Sequence, residues 1–226
     1  MNHADFNAYK SNIRIAIRKV LSESESGRLD EAAFPAYSHS NPFINWLFWQ
    51  RLRKTMDTIE RGAPYQRVLD FGCGSGVLLP FLGRIANNVV AVDIDLLPFE
   101  RMKAHIDFPS NIEVHDTRSF ALDRLPAASF DLITALDVLE HVEDLSSTLT
   151  SLLRLLKLGG RLIVSGPTEN IFYKLGRRVA GREYTGDYHE RGIAEIKHQL
   201  ASMAHIEQIA VLYPPMPLFD LFAAIV

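Results

Sequence analysis

Cysteine is nearly absent from this 226-residue chain: Cys73 is the only one, so no internal disulfide framework exists and a reducing compartment suits the protein. An excess of positive charge is also missing. Lys and Arg number 24 against 27 Asp and Glu, for a formal net charge of -3, whereas a nucleic-acid binder meets phosphates with clustered cations. No DNA or RNA partner is expected. The densest basic cluster, Lys174, Arg177, Arg178 and Arg182, reads either as a solvated helix face or as a contact for an anionic acceptor. No apolar run reaches the roughly 18 residues that a membrane-crossing helix requires. Met1 to Tyr9, with Asp5 among them, lack the basic start and apolar core of a secretory leader. The expected location is the cytoplasm, with no transmembrane segment, although the apolar stretch Pro214 to Val226 leaves peripheral membrane contact open. No internal repeat or low-complexity tract is visible.

What is present is an ordinary globular composition, 47% apolar and 23% charged, which excludes a fibrous or largely disordered chain. The length suits one core with added segments. Phe6, Tyr9, Ile13, Ile17 and Val20 recur at helical spacing between Asp5 and Leu21. A second helix is predicted from Asn41-Pro42, an Asn cap followed by Pro, to about Arg61, before Gly62 and Pro64 stop it. Its first half is unusually aromatic, with Phe43, Trp46, Phe48 and Trp49.

Beyond Pro64 short apolar runs alternate with helical ones, the pattern of βαβ units around a parallel sheet. Strands are predicted at Arg67–Phe71, Val89–Asp93, Ile112–His115, Phe130–Ala135 and Arg161–Ser165. Helices are predicted near Val77–Ile85, Pro98–Asp107 and Leu145–Leu158, the last closed by Gly159-Gly160. A polar insertion, residues 166–192, precedes a helix near Ile193–Met203 and two apolar segments, Ile206–Leu212 and Leu218–Val226. The division expected is a helical cover over residues 1–62 and a cofactor domain over residues 63–226, with the insertion as a lid candidate.

Asp70-Phe71-Gly72-Cys73-Gly74-Ser75-Gly76 ends a strand and opens a helix, placing three glycines where backbone must turn tightly beside a ligand. Val89-Val90-Ala91-Val92-Asp93-Ile94 follows, an apolar strand ending in an acid that can accept from both hydroxyls of a ribose. The third strand ends Val114-His115-Asp116-Thr117. The fourth runs Phe130-Asp131-Leu132-Ile133-Thr134-Ala135-Leu136-Asp137-Val138-Leu139-Glu140-His141-Val142. With these four segments in this order, the sequence from about Gln66 to Ser165 resembles the class I S-adenosylmethionine-dependent methyltransferases. It is most similar to their small-molecule group, which includes ubiquinone-biosynthesis methyltransferases.

The resemblance implies a Rossmann-like, seven-stranded, mostly parallel sheet with helices on both faces, preceded here by N-terminal helices. It implies S-adenosylmethionine as cofactor, S-adenosylhomocysteine as product and no metal. By resemblance, Asp70, Gly72, Cys73, Gly74 and Gly76 lie at the cofactor's methionine end. Asp93 holds the ribose, Ile94 packs on the adenine, Asp116 and Thr117 border its amino group, and Leu136 and Asp137 flank the methionine portion. A nicotinamide-dependent oxidoreductase is disfavoured, because such sequences use G-x-G-x-x-G and usually an apolar residue at the Asp70 position.

The expected activity is methyl transfer to an O, N or C nucleophile of a small-molecule acceptor; the alternative is a catalytically silent domain that binds the cofactor or a partner. Positioning alone serves much of this chemistry, so a base is needed only for a protonated acceptor. His141 and His189 are the candidate bases, each with a structural reading beside it. Tyr37, His39, Tyr188 and His189 are candidate acceptor contacts. Arg51 or Arg53 is a candidate partner for the cofactor's carboxylate.

Overall fold

The computed structural model describes residues 1–23, 34–38, 41–168, 192–213 and 217–226. Three helices open the chain: α1 (His3–Glu23), α2 (Phe34–Ser38) and α3 (Pro42–Glu60). Two residues fix the start of α3. The Asn41 side chain accepts from the Phe43 N–H at 2.9 Å, and Pro42 occupies a position where no N–H partner exists to be lost.

The alternation then runs β1 (Tyr65–Phe71), α4 (Leu79–Ile85), β2 (Ala86–Asp93), α5 (Leu97–Lys103), β3 (Ile112–Asp116), β4 (Phe130–Leu136), α6 (Leu145–Leu155) and β5 (Leu156–Pro167). After the insertion come α7 (Ile193–Ala201), β6 (His205–Leu212) and β7 (Phe219–Ile225). The seven strands form one sheet in the order β3-β2-β1-β4-β5-β7-β6. The first five are parallel, and β7 lies antiparallel between β5 and β6. This is the expected Rossmann-like architecture.

Because side chains alternate across a pleated strand, each strand feeds two cores. Val68, Val89, Ala91, Leu132 and Ile163 face α1, α3, α4 and α5. Leu69, Val90, Val92, Ile133, Leu162 and Val164 face α6 and α7. From β1 the order runs outward to β2 and β3 on one side and to β4 and β5 on the other. A crevice therefore opens at the carboxyl ends of β1 and β4, where open α/β sheets bind ligands.

Two sequence expectations need correction. The helix expected to reach Leu158 ends at Leu155, and β5 begins at Leu156. Gly159 does not cap that helix; with φ 78° it donates to the Val226 carbonyl at 2.8 Å, tying the start of β5 to the end of the chain. The β4 register passes from Phe130–Leu156 to Leu132–Arg161, so β5 carries extra residues that a leucine-rich run disguises as helix. The apolar C-terminus, left open between sheet strand and interaction surface, forms an inner strand over Phe219–Ile225, with Leu221, Phe222, Ala223 and Ala224 buried. Among the described residues no helix is long and apolar enough to cross a membrane.

Candidate cofactor and acceptor site

At the tip of β1 the chain turns through three left-handed glycines, Gly72, Gly74 and Gly76, with φ of 78°, 52° and 74°. Their reasons differ. A Cβ on Gly72 would stand 2.4 Å from Val138 Cγ2, and one on Gly76 would stand 2.9 Å from the Phe99 ring, so these two are required by packing as well as by φ. A Cβ on Gly74 would meet nothing within 4 Å among the described residues. The middle glycine alone faces open space. The turn is anchored on β2, since both Gly72 N–H and Cys73 N–H donate to the Val92 carbonyl at 2.8 and 3.1 Å.

Asp93, at the tip of β2, accepts from the Gly74 N–H at 2.7 Å with one oxygen and from the Asp95 N–H at 3.0 Å with the other. The acid thus clamps the glycine turn while each oxygen retains acceptor capacity. Ile94 beside it is 67% exposed, an apolar side chain standing in water at the mouth of the crevice. Asp116 is gripped by Arg118 through Nε and Nη2 and caps the turn that follows β3; this pairing holds its carboxyl below the usual range. The Thr117 N–H donates to the Asp93 carbonyl at 2.9 Å, so β3 ends next to the same clamp.

Asp70 and Thr134 are register partners on β1 and β4, and the Thr134 hydroxyl donates to the Asp70 carboxylate at 2.6 Å. Burial pushes the Asp70 carboxyl up to about 7, against the help of that hydroxyl and with the nearby Asp93 adding to the rise. Burial likewise pushes the Cys73 thiol well above its ordinary value, which leaves it unreactive inside the turn. The Ser75 hydroxyl is buried and has no hydrogen-bond partner among the described residues. An orphaned hydroxyl in a glycine turn, beside space into which Gly74 opens, fits a polar ligand that completes it.

The tip of β4 carries Leu136 and then Asp137, whose φ of 53° is rare for a residue with a side chain. The Asp137 N–H donates to the Ser165 carbonyl at 2.9 Å, and its carboxylate forms an ion pair with Arg51 of α3. Arg51 is buried between the rings of Phe48 and Phe219, 5.2 and 4.9 Å from its guanidinium carbon, and also donates to the Tyr37 hydroxyl at 3.4 Å. The Tyr37 ring packs edge-on against Trp49, while its carbonyl accepts from the Asn45 and Trp49 side chains. On the other side, Tyr9 of α1 reaches the glycine turn and donates to the Val77 carbonyl; burial pushes its phenol up. The helical cover is therefore fastened both to the glycine turn and to the β4 tip.

Glycine turn, acidic clamp and covered β4 tip coincide with a match to a family model described as a methyltransferase domain, over residues 41–211. The chain belongs to this methyltransferase-domain family. It is similar to a ubiquinone biosynthesis O-methyltransferase of Nitrosococcus oceani, 34% identical over 55% of this chain and 56% of that protein. A protein of the same name from Pseudomonas fluorescens is 30% identical over 74% of this chain and 68% of its own length. The chain thus spans roughly three-fifths of the curated relatives it matches. Among solved structures, the N-methyltransferase NodS of Bradyrhizobium japonicum in complex with S-adenosylhomocysteine superposes with a TM-score of 0.59. That match has 19% identity and covers 95% of this chain and 98% of NodS, a likeness of fold.

In this methyltransferase fold the expected cofactor residues Asp70, Gly72, Cys73, Gly74, Gly76, Asp93, Ile94, Asp116, Thr117, Leu136 and Asp137 all stand at the carboxyl ends of β1 to β4. Tyr37 joins them through Arg51. His141 closes a 3-10 turn, Leu139–His141, directly after β4, and its ring is exposed. Arg53 stays outside, beside His3 and Asp57. His39, Tyr188 and His189 lie outside the described residues. Sequence reading passed over Tyr9, Ser75 and Thr134. Thr134 was accessible in principle, as the residue that parallel β1–β4 pairing places opposite Asp70; Tyr9 looks like one more apolar position of an amphipathic helix.

Proposed function

We propose that this protein is an S-adenosylmethionine-dependent methyltransferase acting on a hydroxyl group of a small molecule in the cytoplasm, with no nucleic-acid partner. The observation that carries the reading is the glycine turn: Asp93 clamps it, and among the described residues nothing fills the space Gly74 faces and nothing partners the buried Ser75 hydroxyl. The choice of oxygen as acceptor atom is supported by relatives named O-methyltransferases. The cofactor, when bound, supplies a methyl group activated by a positively charged sulfur.

The chain's own residues then divide the work. Asp93 accepts from ribose hydroxyls with the lone pairs it does not use on Gly74 and Asp95. Ile94 offers the adenine an apolar surface, with Asp116 and Thr117 at its rim. Asp70, the glycine turn, Leu136 and Asp137 border the methionine end. Residues 1–62 act as the cover and residues 63–226 as the cofactor domain. Tyr37 and His39, with Tyr188 and His189 of the segment 166–192, are the acceptor contacts of this reading. Alignment of acceptor and donor lowers the barrier, by on the order of 7–11 kcal/mol in well-oriented model reactions. His141 or His189 removes the hydroxyl proton.

The decisive experiment pairs calorimetry with transfer. S-adenosylmethionine and S-adenosylhomocysteine should both bind and NAD should not; labelled methyl should then pass to a small-molecule extract. Preference for NAD would end the cofactor assignment, and cofactor binding without transfer to any extract would leave a silent binding domain in its place.

A further inference from the structure

With the C-terminal strand buried, the exposed aromatic rings among the described residues include a pair at the start of α3. Trp49 is fully buried, whereas Trp46 is 44% exposed and Phe43 is 61% exposed, their rings stacked with centroids 6.0 Å apart. Trp46 also leans on Tyr213, 5.6 Å away, whose phenol donates to the Leu47 carbonyl at 2.6 Å. Tyr213 follows β6, which runs parallel to β5 through the intervening antiparallel β7, so this aromatic group borders the same carboxyl edge as the crevice. Nothing in the core requires two large rings to stand in water there.

Next to it runs a stripe of cations. The Met1 ammonium pairs with Glu60 at the far end of α3, and Phe6 and then Lys10 pass the Trp49 ring, Lys10 Nζ at 5.4 Å from its centroid. Helix α1 therefore runs antiparallel to α3, and its next turn carries Arg14 toward the aromatic end. Lys10, Arg14 and Arg18 recur one per turn along the flank of the buried stripe of Ile13, Ile17 and Val20, and exposed Ile15 lies farther round toward solvent. Among the described residues no carboxylate pairs with these three cations. In a chain of net charge -3 such a stripe is a local reversal of sign.

We propose that Phe43 and Trp46, with Lys10, Arg14 and Arg18, form a docking face for an anionic lipid bilayer. Indole and phenyl rings favour the zone between headgroups and acyl chains, and a row of cations within a Debye length of the surface adds attraction to acidic headgroups. The charge complementarity selects a bilayer over a protein groove, since a partner helix would take the two rings without calling for an unpaired cationic stripe beside them. The face opens the crevice toward the membrane and suits an acceptor delivered from it.

The full chain is floated with phosphatidylcholine vesicles that contain or lack about one-third phosphatidylglycerol. Binding should be at least about tenfold stronger to the acidic vesicles and should weaken as salt rises. Phosphatidylcholine brominated in its acyl chains should quench the emission of Trp46, Trp49 being buried. A Phe43→Ser, Trp46→Ser variant and an Arg14→Gln, Arg18→Gln variant, which leaves Lys10 on the Trp49 ring, should each lose most of the binding, with a melting curve showing that each variant is folded. The proposal is overturned if the parent does not float with acidic vesicles, if it floats without quenching, or if both variants bind as well as the parent. It is equally overturned if Trp46 is shielded in a lipid-free dimer, which would assign the face to a second copy of the chain.

Discussion

Two acids of the crevice, Asp93 and Asp70, have opposite surroundings, and each leads to a measurable difference. Asp93 is held by two backbone N–H groups at a strand tip, with lone pairs left over. Asp93→Ala is expected to weaken binding of S-adenosylmethionine and of its demethylated product alike, by about 1.5–3 kcal/mol, since the ribose is common to both. Titration calorimetry reads this directly, and unchanged affinity for both ligands would remove Asp93 from the site. Asp70 is buried, and its carboxyl is raised from 3.8 in the unfolded chain to about 7. Below pH 4 the group is protonated in both states. Between pH 4 and 7 the unfolded chain loses its proton while the folded one keeps it, so folding stability falls through that window, by up to about 4 kcal/mol. Asp70→Asn preserves an acceptor for Thr134 and removes the titration. Its melting temperature should therefore fall less than the parent's from pH 5 to pH 7.5. Parallel profiles for the two proteins would mean that Asp70 is already ionised in the fold.

Among the elements, the contact between α3 and the tip of β4 is the one on which the cover depends. The Arg51 side chain is 6% exposed and that of Asp137 is 28% exposed, so the two halves of the ion pair are not equivalent. Removing the acid strands a guanidinium that cannot reach water, whereas removing the arginine leaves a carboxylate that partly can. Asp137→Asn, which keeps a residue tolerant of φ 53°, is expected to cost about 3–5 kcal/mol in urea unfolding. Arg51→Met should cost less, and the double variant should recover part of the loss. Equal costs for the single variants, with no recovery, would show that the pair is not the fastening. Periodicity, the Asn41-Pro42 start and the aromatic content made α3 readable from sequence, because each is a local signal. Its attachment was not, since the choice of Asp137 by Arg51 depends on two elements meeting across the fold. The end of α6 was misread for a related reason: the leucines from Leu152 to Leu158 satisfy helix and buried strand equally, and only pairing with β4 decides between them.

For the molecule as a whole, the βαβ rhythm and the order of the motifs made the parallel half of the sheet legible, because each crossover places the next strand beside one already present. The insertion of β7 between β5 and β6 was not legible, since an antiparallel strand at the end of the chain carries no sign of which neighbours it will take. The assembled sheet has a further consequence. The glycine turn, the tips of β2 and β4 and the cover meet only at the crevice, so a ligand bound there contacts groups that come together only in the folded state. Such a ligand must stabilise folding by mass action: at a concentration about 100 times its Kd the gain is about 2.7 kcal/mol. For a chain of this size each kcal/mol raises Tm by roughly 2–4 °C, so saturating S-adenosylmethionine should raise it by about 5–11 °C. S-adenosylhomocysteine should do the same, since it retains the ribose, adenine and methionine portions. The Asp93→Ala variant should need a correspondingly higher concentration for the same rise. Scanning calorimetry against ligand concentration measures all three, with NAD as the control. An equal rise with NAD, or none with either sulfur ligand at saturation, would show that the crevice binds some other cofactor and that the methyltransferase reading of this chain fails.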